Sequence, residues 1–150
     1  LKDCWVWAES QETSTVSPDM FNEFSLPYLA EVSSMFGLAY YGCCEPLDDR
    51  IEYIKKKMPN LRVVSISGWN DFQKIGEALG KEYVHSKKPN PAFMSGITPD
   101  WDNMKKDLHD SWSACPGGNM EIIVRDVYDI NDDMNRIAEW VKMARKVLGA

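Results

Sequence analysis

Residues 38–67 read LAYYGCCEPLDDRIEYIKKKMPNLRVVSIS, and this stretch indicates the fold class. The short run 38–43 is rich in aromatic and small apolar residues and precedes an apolar stripe at helical spacing. The stripe consists of Leu47, Ile51, Ile54 and Met58. Pro59 then stops the helix, and the run 61–67 has the composition of a second strand. Because a crossover of this length returns the chain to the same end of a sheet, the two strands are predicted to be parallel.

The same unit of strand and helix occurs five times. The predicted strands are residues 4–8, 38–43, 61–67, 82–86 and 120–125. No linker interrupts the series, so we expect a single α/β domain over residues 1–150. Two architectures of parallel βα units fit: a portion of a (β/α)8 TIM barrel, and a flavodoxin-like doubly wound sheet, which is complete with five strands.

The first and last predicted helices carry their own apolar stripes. Ser17 and Pro18 predict the start of the first helix, since Ser caps and Pro suits the first position. Its predicted buried stripe is Phe21, Phe24, Tyr28, Val32 and Met35, and Pro27 should bend the helix. The predicted stripe of the last helix is Met134, Ile137, Val141, Ala144 and Leu148.

Composition restricts the classes of function. The chain has 23 acidic and 17 basic residues and a formal charge of −6, so nucleic acid is not an expected partner. No apolar run approaches the roughly 20 residues that cross a bilayer, and the sequence predicts no membrane association and a cytoplasmic location. The four cysteines are expected to be reduced thiols or metal ligands.

Candidate site residues follow the predicted strands, because ligands bind beyond the carboxyl ends of parallel strands in both architectures. Glu9 and Asp126 are the candidate catalytic groups. The candidates for binding a small-molecule substrate are Gln11, Trp69, His85 and Tyr128. For His85, a structural histidine within the core is the more common alternative. Lys87-Lys88 could bind an anion, although a lysine pair in a loop is usually solvated.

Three motifs resemble a known family. They are the run 7–13 (WAESQET), the helix start 17–21 (SPDMF) and the strand with its following turn, 37–46 (GLAYYGCCEP). They resemble the fifth and sixth βα segments of proteins of the uroporphyrinogen decarboxylase-like superfamily. The resemblance implies that the chain corresponds to the C-terminal half of that family's TIM barrel, and it favours the barrel over the flavodoxin-like sheet.

The superfamily has two functional branches. One decarboxylates uroporphyrinogen in porphyrin metabolism, and the other moves methyl groups to or from corrinoids with zinc. The decarboxylase branch has a Gly-His-Gly motif on its last strand, where residues 125–129 read RDVYD. The resemblance therefore favours a relative of the methyltransferases, with a decarboxylase-type lyase and a catalytically inactive fragment or binding module as alternatives.

The zinc expectation also comes from the resemblance. Methyltransferase relatives bind zinc through a His-x-Cys pair on the sixth strand, where this chain has Tyr41-Gly42-Cys43. The resemblance implies Cys43 as a metal ligand. Further ligands would come from Glu9, Glu45, Asp126 or Cys44, of which Glu45 is the expected one, since zinc also accepts carboxylates. It further implies a corrinoid presented by a partner protein.

A portion of a barrel is expected to behave differently from a whole one. Several strand ends that would hold substrate lie outside such a portion, so the isolated chain is expected to be inactive. Its sheet edge or barrel interior would also stay uncovered, which predicts association into a homo-oligomer.

Overall fold

The computed structural model describes residues 1–149 and contains one five-stranded sheet. The strands are β1 Trp5–Ala8, β2 Leu38–Tyr41, β3 Leu61–Ile66, β4 Val84–Lys87 and β5 Met120–Ile122. Every adjacent pair in the sheet is parallel. The prediction of parallel βα units with all strands ending on one side is thus confirmed.

Six helices accompany the strands. They are α1 Pro18–Met20, α2 Leu26–Ser34, α3 Ile51–Lys57, α4 Phe72–Leu79, α5 Trp101–Ser113 and α6 Asn135–Leu148. A π-helical turn, Phe21–Ser25, joins α1 to α2. Across residues 1–149, none of the helices has the length and apolar character that spanning a membrane requires.

The strands follow one another in the sheet in the order β1-β2-β3-β4-β5. A flavodoxin-like sheet has the order 2-1-3-4-5 and reverses direction at a switch point, so this sheet is not of that type. The helices pack on one face of the sheet, where Ala8, Ala39, Val64 and Ile66 lie in the larger core cluster and Ile122 contacts the smaller one.

Within residues 1–149, the core clusters that include helices lie on that face, and the opposite face of the sheet is not covered by a helix. Because side chains alternate along a strand, this face carries the residues between those of the core, including Trp7, Tyr40 and Val63. The Trp7 and Tyr40 rings meet edge to face with centroids 5.5 Å apart. Trp5 and Trp7 remain largely exposed at the β1 edge.

The predicted stripe of the first helix is mostly wrong. Phe21 is buried, but Phe24, Tyr28, Val32 and Met35 are exposed. The π-helical turn accounts for the difference, because its wider turn rotates the following residues and brings Leu26 into the core. The turn comes directly before Pro27, where the sequence predicted a bend.

The predicted stripe of α6 is also wrong in part. Met134, Ile137 and Val141 are exposed, whereas Arg136, Trp140 and Ala144 are buried. The guanidinium of Arg136 donates to the carbonyls of Met94, Gly96 and Ile97. Arg136 can be buried because three loop carbonyls accept its hydrogen bonds. The face of α6 that carries Arg136 therefore points inward.

Candidate functional site

A pocket of about 450 Å³ opens at the carboxyl ends of β2 to β5. Its walls come from the segments that follow these four strands, the region in which parallel sheets bind ligands. Its thiol, aromatic and charged lining side chains are Cys43, Cys44, Trp69, Lys88, Arg125 and Asp126. The sequence predicted three of these, Cys43, Trp69 and Asp126, as site residues.

Gly42 directs the chain into the pocket. Strand β2 ends at Tyr41, whose ring is fully buried on the helix-covered face, and Gly42 follows with a φ of +101°. This backbone conformation is rarely adopted by residues other than glycine. Cys43 therefore lies in the turn after β2 and not on the strand itself, and it lines the pocket. Burial and the nearby Glu45 raise the pKa of the Tyr41 phenol.

Glu45 fixes the backbone around Cys43. The buried Glu45 carboxylate accepts hydrogen bonds from the backbone N–H of Cys43 at 3.0 Å and of Ser10 at 3.3 Å. The Ser65 hydroxyl donates to the Cys43 carbonyl at 2.8 Å. Glu45 thus joins the segments after β1 and β2 and positions the thiol in the pocket.

Two thiols and a guanidinium form one wall. The Cys43 and Cys44 sulfurs lie 3.9 Å apart, and Nη1 of Arg125 donates to the Cys43 sulfur at 3.4 Å. Nε of Arg125 donates to the Asp126 carboxylate at 2.6 Å, which raises the pKa of the guanidinium and keeps it charged. Burial, and next the hydrogen bond with Cys43, raise the pKa of the Cys44 thiol. Cys43 is therefore the thiol placed beside a permanent positive charge.

Lys88 lines the pocket and is nearly buried. It is 6% exposed, and its ammonium lies 5.4 Å from the Trp7 ring and 5.5 Å from the Tyr40 ring. Nζ also donates to the Cys43 carbonyl at 3.4 Å. A lysine on a loop is usually solvated, so a buried cation is not expected here from the sequence pattern.

The neighbouring Lys87 points to the opposite face. Its fully buried ammonium pairs with Asp107 of α5 at 2.9 Å and lies 3.9 Å from the Phe72 ring. Burial lowers the pKa of Lys87, and Asp107 opposes that effect. Two consecutive lysines, the last residue of β4 and the residue after it, thus point to different sides of the sheet.

Trp69 and Asp126, two of the predicted site residues, both line the pocket. Trp69 lies in its wall and is 79% exposed. Asp126 adopts a φ of +56°, uncommon for a non-glycine residue. Tyr128 is 92% exposed and belongs to an adjoining pocket of about 410 Å³, which also contains Arg125 and Asp126.

The remaining predicted residues lie elsewhere. Glu9 and Gln11 are exposed after β1 and are not among the residues that line the pocket. His85 is buried on the helix-facing side of β4, where Nε2 contacts the Gly80 carbonyl at 3.1 Å. Because Glu9 and Gln11 follow the edge strand and His85 lies early in β4, the fold does not bring these three side chains together.

The side chains near Cys43 determine whether a zinc ion could be held here. A catalytic zinc takes three protein ligands, and within residues 1–149 no three side chains of His, Cys, Asp or Glu form such a group. The Glu45 carboxylate is used by backbone N–H groups, and the Cys43 sulfur faces the Arg125 guanidinium, whose charge opposes a metal cation. The residues as arranged do not fit zinc, and zinc binding by Cys43 and Glu45 stays a prediction.

Comparison with protein-family models gave no match, and comparison with curated proteins gave none. The geometry of the pocket is therefore the basis for a functional proposal.

Proposed function

We propose that the chain is the C-terminal portion of a (β/α)8 barrel related to the uroporphyrinogen decarboxylase-like superfamily. The consecutive strand order and the placement of all helices on one face support this proposal. The exposed apolar stripes on α2 and α6 also support it, since further βα units of a barrel would cover the outer faces of terminal units.

The proposed reaction is methyl transfer at the Cys43 sulfur. The observation that carries this proposal is the contact of 3.4 Å between the Cys43 sulfur and the Arg125 guanidinium inside the pocket. A thiolate is a strong nucleophile, and a hydrogen bond from a cation stabilises negative charge on sulfur. Glu45 holds the backbone of Cys43, and Asp126 orients Arg125.

In the proposed step, the thiolate attacks the methyl carbon of the donor. A bond forms between sulfur and carbon, and the bond between the methyl group and its donor breaks with the electron pair staying on the donor. The Cys43 proton goes to solvent before the attack. Trp69 lines the same pocket and provides an apolar surface for the donor. The donor in this proposal is a corrinoid carried by a partner protein.

Peptide mass spectrometry tests this function. The 150-residue chain is incubated with methylcobalamin, which stands in for the carried corrinoid, and methylation is measured at each cysteine. We expect S-methylation at Cys43. In Arg125→Met the methylation rate of Cys43 should fall about tenfold or more, because the charge-assisted hydrogen bond to the sulfur is strong. The exposed Cys4 is the internal control. Absence of methylation at Cys43, or equal methylation of Cys43 and Cys4, would contradict the proposal.

A decarboxylase-type lyase is the second candidate. It is favoured by the two cationic side chains of the pocket, Lys88 and Arg125, which suit a substrate that carries carboxylates. Incubation with uroporphyrinogen and chromatographic separation of the porphyrins after oxidation distinguishes the candidates. Loss of carboxyl groups would support the lyase, whereas ligand binding with neither reaction would support a binding module.

A further inference from the structure

We infer that the pocket contains an anion subsite centred on Lys88, which binds the carboxylate of a small organic acid. The inference rests on the proposed function only in taking this pocket as the place where substrate binds. It assigns a ligand class and a residue to the site, whichever reaction takes place there.

The environment of the Lys88 ammonium favours the binding of an anion. Lys88 is 6% exposed, yet within residues 1–149 its ammonium has no carboxylate as an ion-pair partner. Its hydrogen-bond acceptor there is the Cys43 carbonyl at 3.4 Å, a long contact for one of three donors. A buried charge is costly unless it is paired, so a ligand anion that enters from the pocket would satisfy the ammonium.

Lys87 provides an internal comparison. Its side chain is fully buried next to Lys88 in the sequence, and its ammonium has both an aromatic ring and the Asp107 carboxylate. Lys88 has the aromatic rings of Trp7 and Tyr40 but lacks the carboxylate. Lys88 instead lines the open pocket, from which an anion could reach it.

The charge of the pocket indicates which anion binds. Its charged lining residues are two cations, Lys88 and Arg125, and one carboxylate, Asp126. Arg125 is already paired with Asp126, so one positive charge stays uncompensated. A single carboxylate matches this charge better than a doubly charged phosphate.

The apolar walls indicate the rest of the ligand. Trp69, Pro89 and Pro91 line the pocket around the cations. An indole and two proline rings provide flat apolar surfaces, which suit an aromatic or branched aliphatic body attached to the carboxylate. The Cys43 sulfur would lie beside that body.

Titration calorimetry of the whole chain at constant ionic strength tests the subsite. The probes are benzoate, its neutral isostere benzamide, and inorganic phosphate. We expect benzoate to bind about tenfold more tightly than benzamide, since a hydrogen bond to a charged group exceeds one to a neutral group. Equal affinity for benzoate and benzamide would overturn the inference, and tighter binding of phosphate would overturn the choice of a carboxylate.

Variants test the residue. Lys88→Met should weaken benzoate binding about tenfold or more, whereas Lys56→Met, which removes an equal charge from an exposed helix position, should not. Lys88→Arg keeps the charge and should keep the preference for benzoate over benzamide. This variant tests the subsite even if Lys88→Met does not fold. Unchanged binding in a folded Lys88→Met protein would contradict the subsite.

The two proposals can fail separately. Cys43→Ser removes the proposed nucleophile but keeps the backbone carbonyl, so benzoate should still bind. Loss of methylation with retained benzoate binding supports both proposals. If the wild-type chain binds benzoate selectively but is not methylated, the methyl-transfer proposal fails and the anion subsite stands.

Discussion

At the residue scale, buried charges are the least expected feature of this protein. Lys87, Lys88, Arg50 and Arg136 are all nearly inaccessible to solvent. Arg50 donates to the carbonyls of Thr13 and Val16 and thereby holds the segment after β1. Sequence patterns place such side chains at the surface by default, because a lysine or arginine is buried only when particular partners satisfy it.

The buried charge of Lys87 is expected to be compatible with a stable fold only when the charge of Asp107 is also present. Asp107→Asn leaves the buried ammonium without its counter-charge, and we expect the free energy of unfolding to fall by about 3 kcal/mol. Urea denaturation measures this change. The double variant Lys87→Met/Asp107→Leu should recover most of the loss, because neither charge is then buried.

Asp110→Asn is the matched control for Asp107→Asn. It breaks the exposed pair with Lys106 on the same helix and should leave stability nearly unchanged. A similar loss of stability in Asp107→Asn and Asp110→Asn would show that the buried pair has no special role.

His85 should make stability depend on pH. Burial lowers its pKa, although the Gly80 carbonyl opposes this effect. Below the ordinary histidine pKa of about 6.5, the unfolded chain binds a proton before the folded chain does. The free energy of unfolding should therefore fall as the pH drops from about 6.5 through the lowered folded-state pKa.

Denaturation midpoints on both sides of this pH range measure the His85 effect. His85→Gln should remove part of the pH dependence, whereas His109→Gln, at an exposed helix position, should not. An identical pH dependence in the wild type and His85→Gln would exclude His85 as its source.

At the element scale, α4 packs closely on the end of α5 through Gly76. A Cβ atom at Gly76 would lie 1.9 Å from the Ala114 carbonyl oxygen, a distance that requires the backbone to move. Alanine normally stabilises a helix relative to glycine by about 1 kcal/mol. Here we expect Gly76→Ala to lower the free energy of unfolding by about 2 kcal/mol or more.

Gly68→Ala is the control for Gly76→Ala. Its added Cβ would meet no atom within 4 Å, so stability should change by less than about 0.5 kcal/mol. Chemical denaturation of both variants gives the comparison. Greater stability of Gly76→Ala than of the wild type would show that the two helices are not in close contact.

The elements differ in how well the sequence predicted them. The order of strands and helices was clear, because β-branched runs and helical spacing alternate without interruption. The buried faces of the first and last helices were not clear from the sequence. A π-helical turn before Pro27 shifts the buried face of the first helix, and the buried face of α6 contains Arg136, which bonds to loop carbonyls. Cys43 lies two residues beyond the end of β2, because the strand ends before Gly42, and the burial of Lys88 depends on partners distant in sequence, Trp7 and Tyr40.

At the scale of the whole molecule, the sheet is open at its β1 edge. Within residues 1–149, strand β1 pairs only with β2, and Trp5, Trp7, Phe24 and Tyr28 are exposed in β1 and the neighbouring helical segment. An uncovered edge with apolar neighbours favours association. We expect light scattering to show a mass above that of one chain, rising with concentration.

A variant that makes this surface polar should reduce the association. Phe24→Lys/Tyr28→Lys is suitable because both side chains are exposed and outside the pocket. The same two changes should leave benzoate binding intact. A wild-type chain that stays monomeric over a wide range of concentrations would contradict the expectation of a homo-oligomer.

The central claim is that Cys43 and Lys88 belong to one ligand site at the carboxyl ends of the strands. The most direct test is the rate at which iodoacetamide alkylates Cys43, followed by peptide mass spectrometry with and without benzoate. We predict that benzoate slows alkylation of Cys43 in the wild type but not in Lys88→Met, and that the exposed Cys4 is unaffected in both. Alkylation of Cys43 at the same rate with and without saturating benzoate would contradict the claim.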